Sequence, residues 1–203
     1  MNSFKVNTAK NKFNINYVYD YISKDQVKTD KVLFAKMCKT GCVNYNKKYS
    51  CPPFSPDFSL LSKDSDGLFV VLFVVKLDQI KSTEYNKIRI ANVVMKSKIN
   101  RLMRDLETNF KTKFLSTGSC NLCKPCNCKL KLSCKHPDKK RYSLESVGID
   151  CNNLSETLFN TQFLWYKEKN APAYTSVICG LLCNKKDVVK LRSYLDSYDF
   201  SRL

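Results

Sequence analysis

Eleven cysteines share a chain of 203 residues with a single histidine, and eight of those cysteines fall in two short segments. The sharper segment reads Gly118-Ser119-Cys120-Asn121-Leu122-Cys123-Lys124-Pro125-Cys126-Asn127-Cys128, followed by Cys134-Lys135-His136-Pro137. A C-x2-C-x2-C run sets three thiolates on one tight loop whose backbone N–H groups can turn inward. Such a loop suits a multi-iron cluster, which offers several metal corners and sulfides that accept those hydrogen bonds. A zinc ribbon uses instead two C-x2-C knuckles, well separated in sequence, that converge on one tetrahedral ion.

Cys134 is the natural fourth ligand, with Pro137 close behind it. In bacterial ferredoxin-type loops three residues separate the third and fourth cysteines; here seven residues separate Cys126 from Cys134. Cys120, Cys123, Cys126 and Cys134 are therefore expected to hold a [4Fe-4S]-type cluster, with zinc as the alternative. The other segment is Cys38-x3-Cys42-x8-Cys51-Pro52-Pro53. Proline fixes its own φ and keeps the residue before it extended, so Pro52 aims Cys51. Cys38, Cys42 and Cys51 can ligate a second cluster with one iron left open to substrate, or complete a zinc site with His136. They can also be plain thiols, Cys38 and Cys42 packing as small apolar groups on one helix face. The spacing is not the C-x3-C-x2-C of radical S-adenosylmethionine enzymes, which excludes that chemistry.

The remaining chemistry-bearing residues read more quietly. Cys179 and Cys183 flank Leu181 on one strand face and belong to the core. Cys128 and Cys151 are spare: either can ligate, neither is needed. His136 is a ligand, a proton carrier or a surface imidazole beside the loop. Glu145 is a base or an interaction with a helix's first turn. There is no glycine-rich phosphate loop and no Ser-His-Asp set, so the familiar hydrolase and nucleotide-binding motifs are missing.

These loops need a frame. The length suits one domain and is short for a complete β/α barrel; 43% hydrophobic and 12% aromatic residues argue against disorder. The net charge is +17, but it comes almost wholly from Lys, whereas base readout favours Arg. Specific nucleic-acid binding is not expected. The longest apolar run, residues 68–75, is too short to span a bilayer and reads as a buried central strand. The N-terminus has no apolar run, so no secretory signal is read there. A cytoplasmic protein keeps its thiols reduced, which favours metal ligation over disulfides.

Residues 17–37 carry a helical pattern, and 38–56 an irregular cysteine and proline segment. Between Gly67 and Gly118 there is neither Gly nor Pro. Apolar residues from Tyr85 to Phe110 recur at three- and four-residue steps, which predicts one long helix over 84–110. Residues 113–117 can return as a strand, making a β-α-β unit. A short helix follows Ser143 and ends at Gly148. Residues 161–165 and 174–183 read as strands, and a capping box at Asn184 and Asp187 opens a helix over 185–196. The sum is an α+β single domain with a mixed sheet of about four strands, packed helices and two cysteine-rich metal-binding loops. Its parts are an N-terminal helical arm (1–36), a first cysteine loop (37–62), β-α-β (67–117), a second cysteine loop (118–150) and a C-terminal β-β-α (151–203). Leu72, Val74, Val177 and Leu181 begin its core.

The two cysteine segments, with the trailing Arg141-Tyr142-Ser143-Leu144-Glu145 and Gly148-Ile149-Asp150, resemble a prokaryotic family labelled "predicted metal-binding protein", a domain of unknown function. The resemblance covers roughly residues 30–183. It implies that Cys38, Cys42, Cys51, Cys120, Cys123, Cys126 and Cys134 are the family's cysteines. Arg141, Ser143, Glu145, Gly148 and Asp150 match its trailing motif. Asn46 stands where the family often has Gly, and Asn tolerates the same positive-φ turn. Tyr142 stands where it often has Pro. The family implies metal binding and supplies no reaction. The function expected is an iron–sulfur protein with one or two clusters, acting in electron transfer or presenting a cluster to a small-molecule substrate or a redox partner protein. The alternative is a zinc-stabilised scaffold or interaction module.

Overall fold

Eight apolar residues in a row can form a strand only if both of its faces are covered, and that requirement organises the fold. In the computed structural model, which describes residues 2–203, this run is the centre of one five-stranded sheet. The strands are β1 (Asn2–Asn7), β2 (Lys12–Ser23), β3 (Gly67–Lys76), β4 (Phe114–Leu115) and β5 (Tyr174–Cys183). The helices are α1 (Lys31–Gly41), α2 (Phe58–Leu61), α3 (Glu84–Phe110), α4 (Cys151–Phe159) and α5 (Val188–Asp196). The strands lie in the order β1-β2-β3-β5-β4, and every neighbouring pair is antiparallel.

The pleat sends alternate residues of β3 to opposite layers. Phe69, Val71, Phe73 and Val75 join Val177, Cys179 and Leu181 of β5 against α3, which contributes Ala91, Met95, Ile99, Leu102 and Leu106. Leu68, Val70, Leu72 and Val74 join Ile178 and Leu182 under a second layer of Leu115, Leu144, Val147, Ile149 and Leu154. All four expected core residues are buried, with Val177 and Leu181 on the α3 side and Leu72 and Val74 on the other. The second layer positions the cysteine segments, because the turn at 144–149 and the start of α4 border them.

The long helix runs over Glu84–Phe110 as its spacing predicts, and Lys111 ends it in the left-handed region at φ 51°. Strands β3 and β5 and the turn after Ser143 also stand where the pattern put them. Ser143 Oγ accepts the Ser146 N–H at 3.2 Å, and Gly148 ends the turn at φ 94°.

Other expectations are corrected. The sheet has five strands rather than about four and is antiparallel between neighbours rather than mixed. Strands β3 and β4 do run the same way, but β5 lies between them, so the β-α-β unit is split. The N-terminal arm is a hairpin of β1 and β2, because Phe13, Ile15 and Tyr17 alternate inward with period two; helix begins at Lys31. α1 then continues to Gly41, which puts Cys38 on regular structure. Residues 161–165 form no strand: β4 pairs only Gly180 and Leu181 of β5, and the 161–165 segment does not extend that edge but leaves Trp165 66% exposed. Asn184 makes no side-chain cap, and a 3-10 turn over Lys185–Asp187 leads into α5 instead. Among the described residues no helix is long and apolar enough to cross a membrane.

Candidate metal centre

Asp30 caps α1 by accepting the Leu33 N–H at 2.8 Å. The helix buries none of its residues fully, so its hold on the molecule is polar. The ammonium of Lys31 reaches the Ser55 carbonyl and hydroxyl, each at 2.8 Å, the Pro56 carbonyl at 3.1 Å and the Ser146 carbonyl at 2.5 Å. Burial lowers the Lys31 pKa, while the charges of Asp57 and Cys38 push back. One lysine therefore ties α1, the end of the first cysteine loop and the 144–148 turn together. Gly148 makes room for this, since a Cβ there would stand 2.9 Å from both Lys31 Cα and Lys31 N.

Cys38 lies in the last turn of α1 and Cys42 one turn on, its N–H donating to the Cys38 carbonyl at 3.1 Å. Asn46 takes the left-handed turn at φ 54° and donates its N–H to the Pro52 carbonyl at 2.9 Å. The loop folds back on itself and returns Cys51 beneath the end of the helix. Burial raises the pKa of both Cys38 and Cys51, and the negative charge of Cys42 adds to each. Ser50, by hydrogen bonding to the Cys51 sulfur at 3.8 Å, pulls the other way. The three thiols are neighbours.

The second loop leaves β4 and is closed at its base, where the Ser116 N–H donates to the Tyr142 carbonyl at 2.7 Å. Glu107 of α3 braces that base. It accepts Arg141 Nε at 2.5 Å, an Arg104 nitrogen at 3.1 Å and the Phe114 N–H at 3.1 Å. The guanidinium groups of Arg104 and Arg141 lie over the Phe114 ring at 5.0 and 5.9 Å.

The two loops are then joined to each other. Ser50 Oγ accepts the Cys120 N–H at 2.9 Å. The Lys48 ammonium donates to Ser119 Oγ, the Cys120 carbonyl and Asn121 Oδ1 at 2.9, 3.0 and 2.7 Å. Tyr49 Oη donates to the Leu132 carbonyl at 2.7 Å. Segments some seventy residues apart in sequence thus form one surface.

Cys120, Cys123, Cys126 and Cys134 line a single small hollow, with His136 and Ser50 beside them. Next to it opens a cleft of about 830 Å³ lined by Cys38, Cys42, Cys51 and Cys151, and Cys120 faces both. His136 is on the hollow with the second-loop cysteines. Among the described residues no three Cys, His, Asp or Glu side chains are placed to hold a single metal ion. The sulfurs share walls without meeting at a point.

Two groups on the cleft were given no assigned role from the sequence. Cys151 opens α4, buried against Glu145; burial and then that carboxylate push its thiol well up. Lys96, Asn100 and Arg104 stand four residues apart along the polar side of α3 and wall the cleft opposite the cysteines. That i, i+4 spacing was the available signal. Cys179 and Cys183 are in the core as expected. Comparison with curated proteins and with solved structures returns no match. A family does match over residues 20–182, a span that contains both cysteine loops, the hollow and most of the frame described above; the chain belongs to that family, whose description is predicted metal-binding protein (DUF2284).

Proposed function

We propose that the protein is a cytoplasmic iron–sulfur protein, with a [4Fe-4S]-type cluster on Cys120, Cys123, Cys126 and Cys134. A second metal group sits on Cys38, Cys42 and Cys51, facing the cleft. The observation that carries this reading is the common hollow: four cysteines from one irregular loop face it together. Thiolates are the donors such clusters take, and a cluster spreads its cysteines over separate irons instead of drawing them onto one ion. The hollow is about one water in size, so loading requires the loop to spread. Residues Lys129 to Ser133 are solvent-exposed, which leaves the loop room to do so.

When bound, the cluster supplies one-electron redox chemistry at a potential set by hydrogen bonding and exposure. The chain's own part is to hold the thiols and shape the cleft. Its volume lies in the range of small-molecule sites, and Lys96, Asn100, Trp165 and Phe163 line it across from the thiols. A substrate or partner group bound there would stand next to Cys38, Cys42 and Cys51. The zinc reading has one observation of its own: His136 joins the cysteines at the hollow, and Cys3His is a zinc ligand set.

Anaerobic purification, or reconstitution with iron and sulfide, followed by metal and sulfide quantification and EPR of the reduced sample, tests the proposal. Brown protein with matched iron and sulfide is expected. Cys120→Ala, Cys123→Ala and Cys126→Ala should each remove the second-loop colour. Cys51→Ala should spare it and remove the rest. Colourless protein that carries zinc in stoichiometric amount would refute the cluster and favour the scaffold.

A further inference from the structure

Charge is not shared evenly along the chain. Residues 31–56 and 108–137, which contain both cysteine segments, hold eleven Lys and not one Asp, Glu or Arg. They account for eleven of the seventeen net positive charges, although they make up little more than a quarter of the chain. Among the described residues, the same segments hold eight of the fourteen large apolar side chains left exposed. Val43 is 79% exposed, Met37 58%, Leu130 56% and Leu132 54%. The Lys48 and Tyr49 hydrogen bonds knit the two segments into one surface. We infer that this cysteine-bearing face docks an acidic protein, one that presents carboxylates around an apolar centre, as small electron-carrier proteins do.

The chemistry of the face selects that partner. Exposed aliphatic residues interleaved with lysines, as in Lys129-Leu130-Lys131-Leu132, supply both the apolar and the charged part of a protein–protein contact. Asp30, Asp57, Glu107 and Asp138 bound the two segments, but the lysines outnumber them, and such an excess attracts an acidic surface and steers its approach. Nucleic acid would ask for Arg forks and stacked aromatic rings, and the exposed apolar groups here are mainly Val, Leu and Met. Contacts of the carrier kind are small, transient and salt-sensitive. The choice of a carrier as partner rests on the iron–sulfur proposal; the docking itself rests on the surface alone.

Calorimetric titration of the full chain, prepared anaerobically, with flavodoxin as the acidic carrier tests this at low and at high salt, beside a short DNA duplex as a competing polyanion. Binding of flavodoxin at low salt, weakened about tenfold or more at high salt, is expected. Lys47→Glu with Lys129→Glu, Lys131→Glu and Lys135→Glu should weaken it by at least about tenfold at low salt. Leu130→Ser with Leu132→Ser, which leaves every charge in place, should weaken it with the salt dependence unchanged. No detectable binding, binding indifferent to both variants, or tighter binding of the duplex than of flavodoxin overturns the inference. Iron and sulfide measured on the same samples separate the two readings. Coloured protein that fails to dock defeats the docking alone, and colourless protein that docks supports it while defeating the cluster.

Discussion

Cys179 and Cys183 carry the same thiol as Cys120 and Cys134, and only their surroundings separate them. Burial pushes the Cys183 thiol up to about 12, with Asp187 adding to it, and raises Cys179 well above the usual range. Because the thiolate is the reactive form, brief alkylation of metal-free protein at mild alkaline pH should label Cys42, Cys120, Cys123, Cys126 and Cys134 first and spare Cys151, Cys179 and Cys183 until denaturant is added. Peptide mass spectrometry reads this directly, and early labelling at Cys179 would contradict the core assignment. The same shifts set a pH dependence. An unfolded thiol ionises at about 8.5. Above that pH the unfolded chain holds fewer protons than the folded one, so folding is progressively penalised. The contribution is intact below about 8.5 and is lost as pH climbs toward about 12. Denaturation midpoints should fall across the alkaline range, and Cys183→Val should fall less steeply.

Helix α1 is an element held at its ends rather than along its length, and a test follows at that scale. Gly148→Ala adds a Cβ in a positive-φ position and drives it into the Lys31 backbone. A loss of about 2 kcal/mol or more in chemical denaturation is expected, together with faster hydrogen exchange in α1. Unchanged exchange there would mean that Lys31 is not the anchor. How well each element could be read from the sequence follows the same physics. Strands β3 and β5 and helix α3 are deeply buried and uninterrupted, so their periods are clean. The β1–β2 hairpin was missed because β2 is polar or aromatic at most positions; its alternation of Phe13, Ile15 and Tyr17 was masked by the imperfect helical pattern of Val18, Ile22, Val27, Leu33 and Phe34. Residues 161–165 look like a strand by composition, but they pair with no strand of the sheet, and Trp165 stays in solvent. At the site, cysteine spacing revealed the two loops. That they share one surface depends on Lys48, Tyr49 and Ser50, whose hydrogen bonds to distant carbonyls leave no local pattern.

At the scale of the whole molecule, neither buried layer includes a cysteine of the seven proposed as ligands. Both faces of the sheet are covered without them. Removing the metal should therefore leave the far-ultraviolet circular dichroism near its starting value, while limited proteolysis begins within residues 118–140. Complete unfolding by a chelator, as in small zinc modules, would contradict this independence of core and loops. Helix α3 brings the two halves of the design together. Its inner stripe from Ala91 to Leu106 seals the sheet, and its outer row of Lys96, Asn100 and Arg104 faces the cleft. Because the two rows point in different directions from one rigid rod, Lys96 and Asn100 can be exchanged without touching the inward stripe, whereas Arg104 is also held by Glu107 and Phe114 and is tied to the base of the second loop.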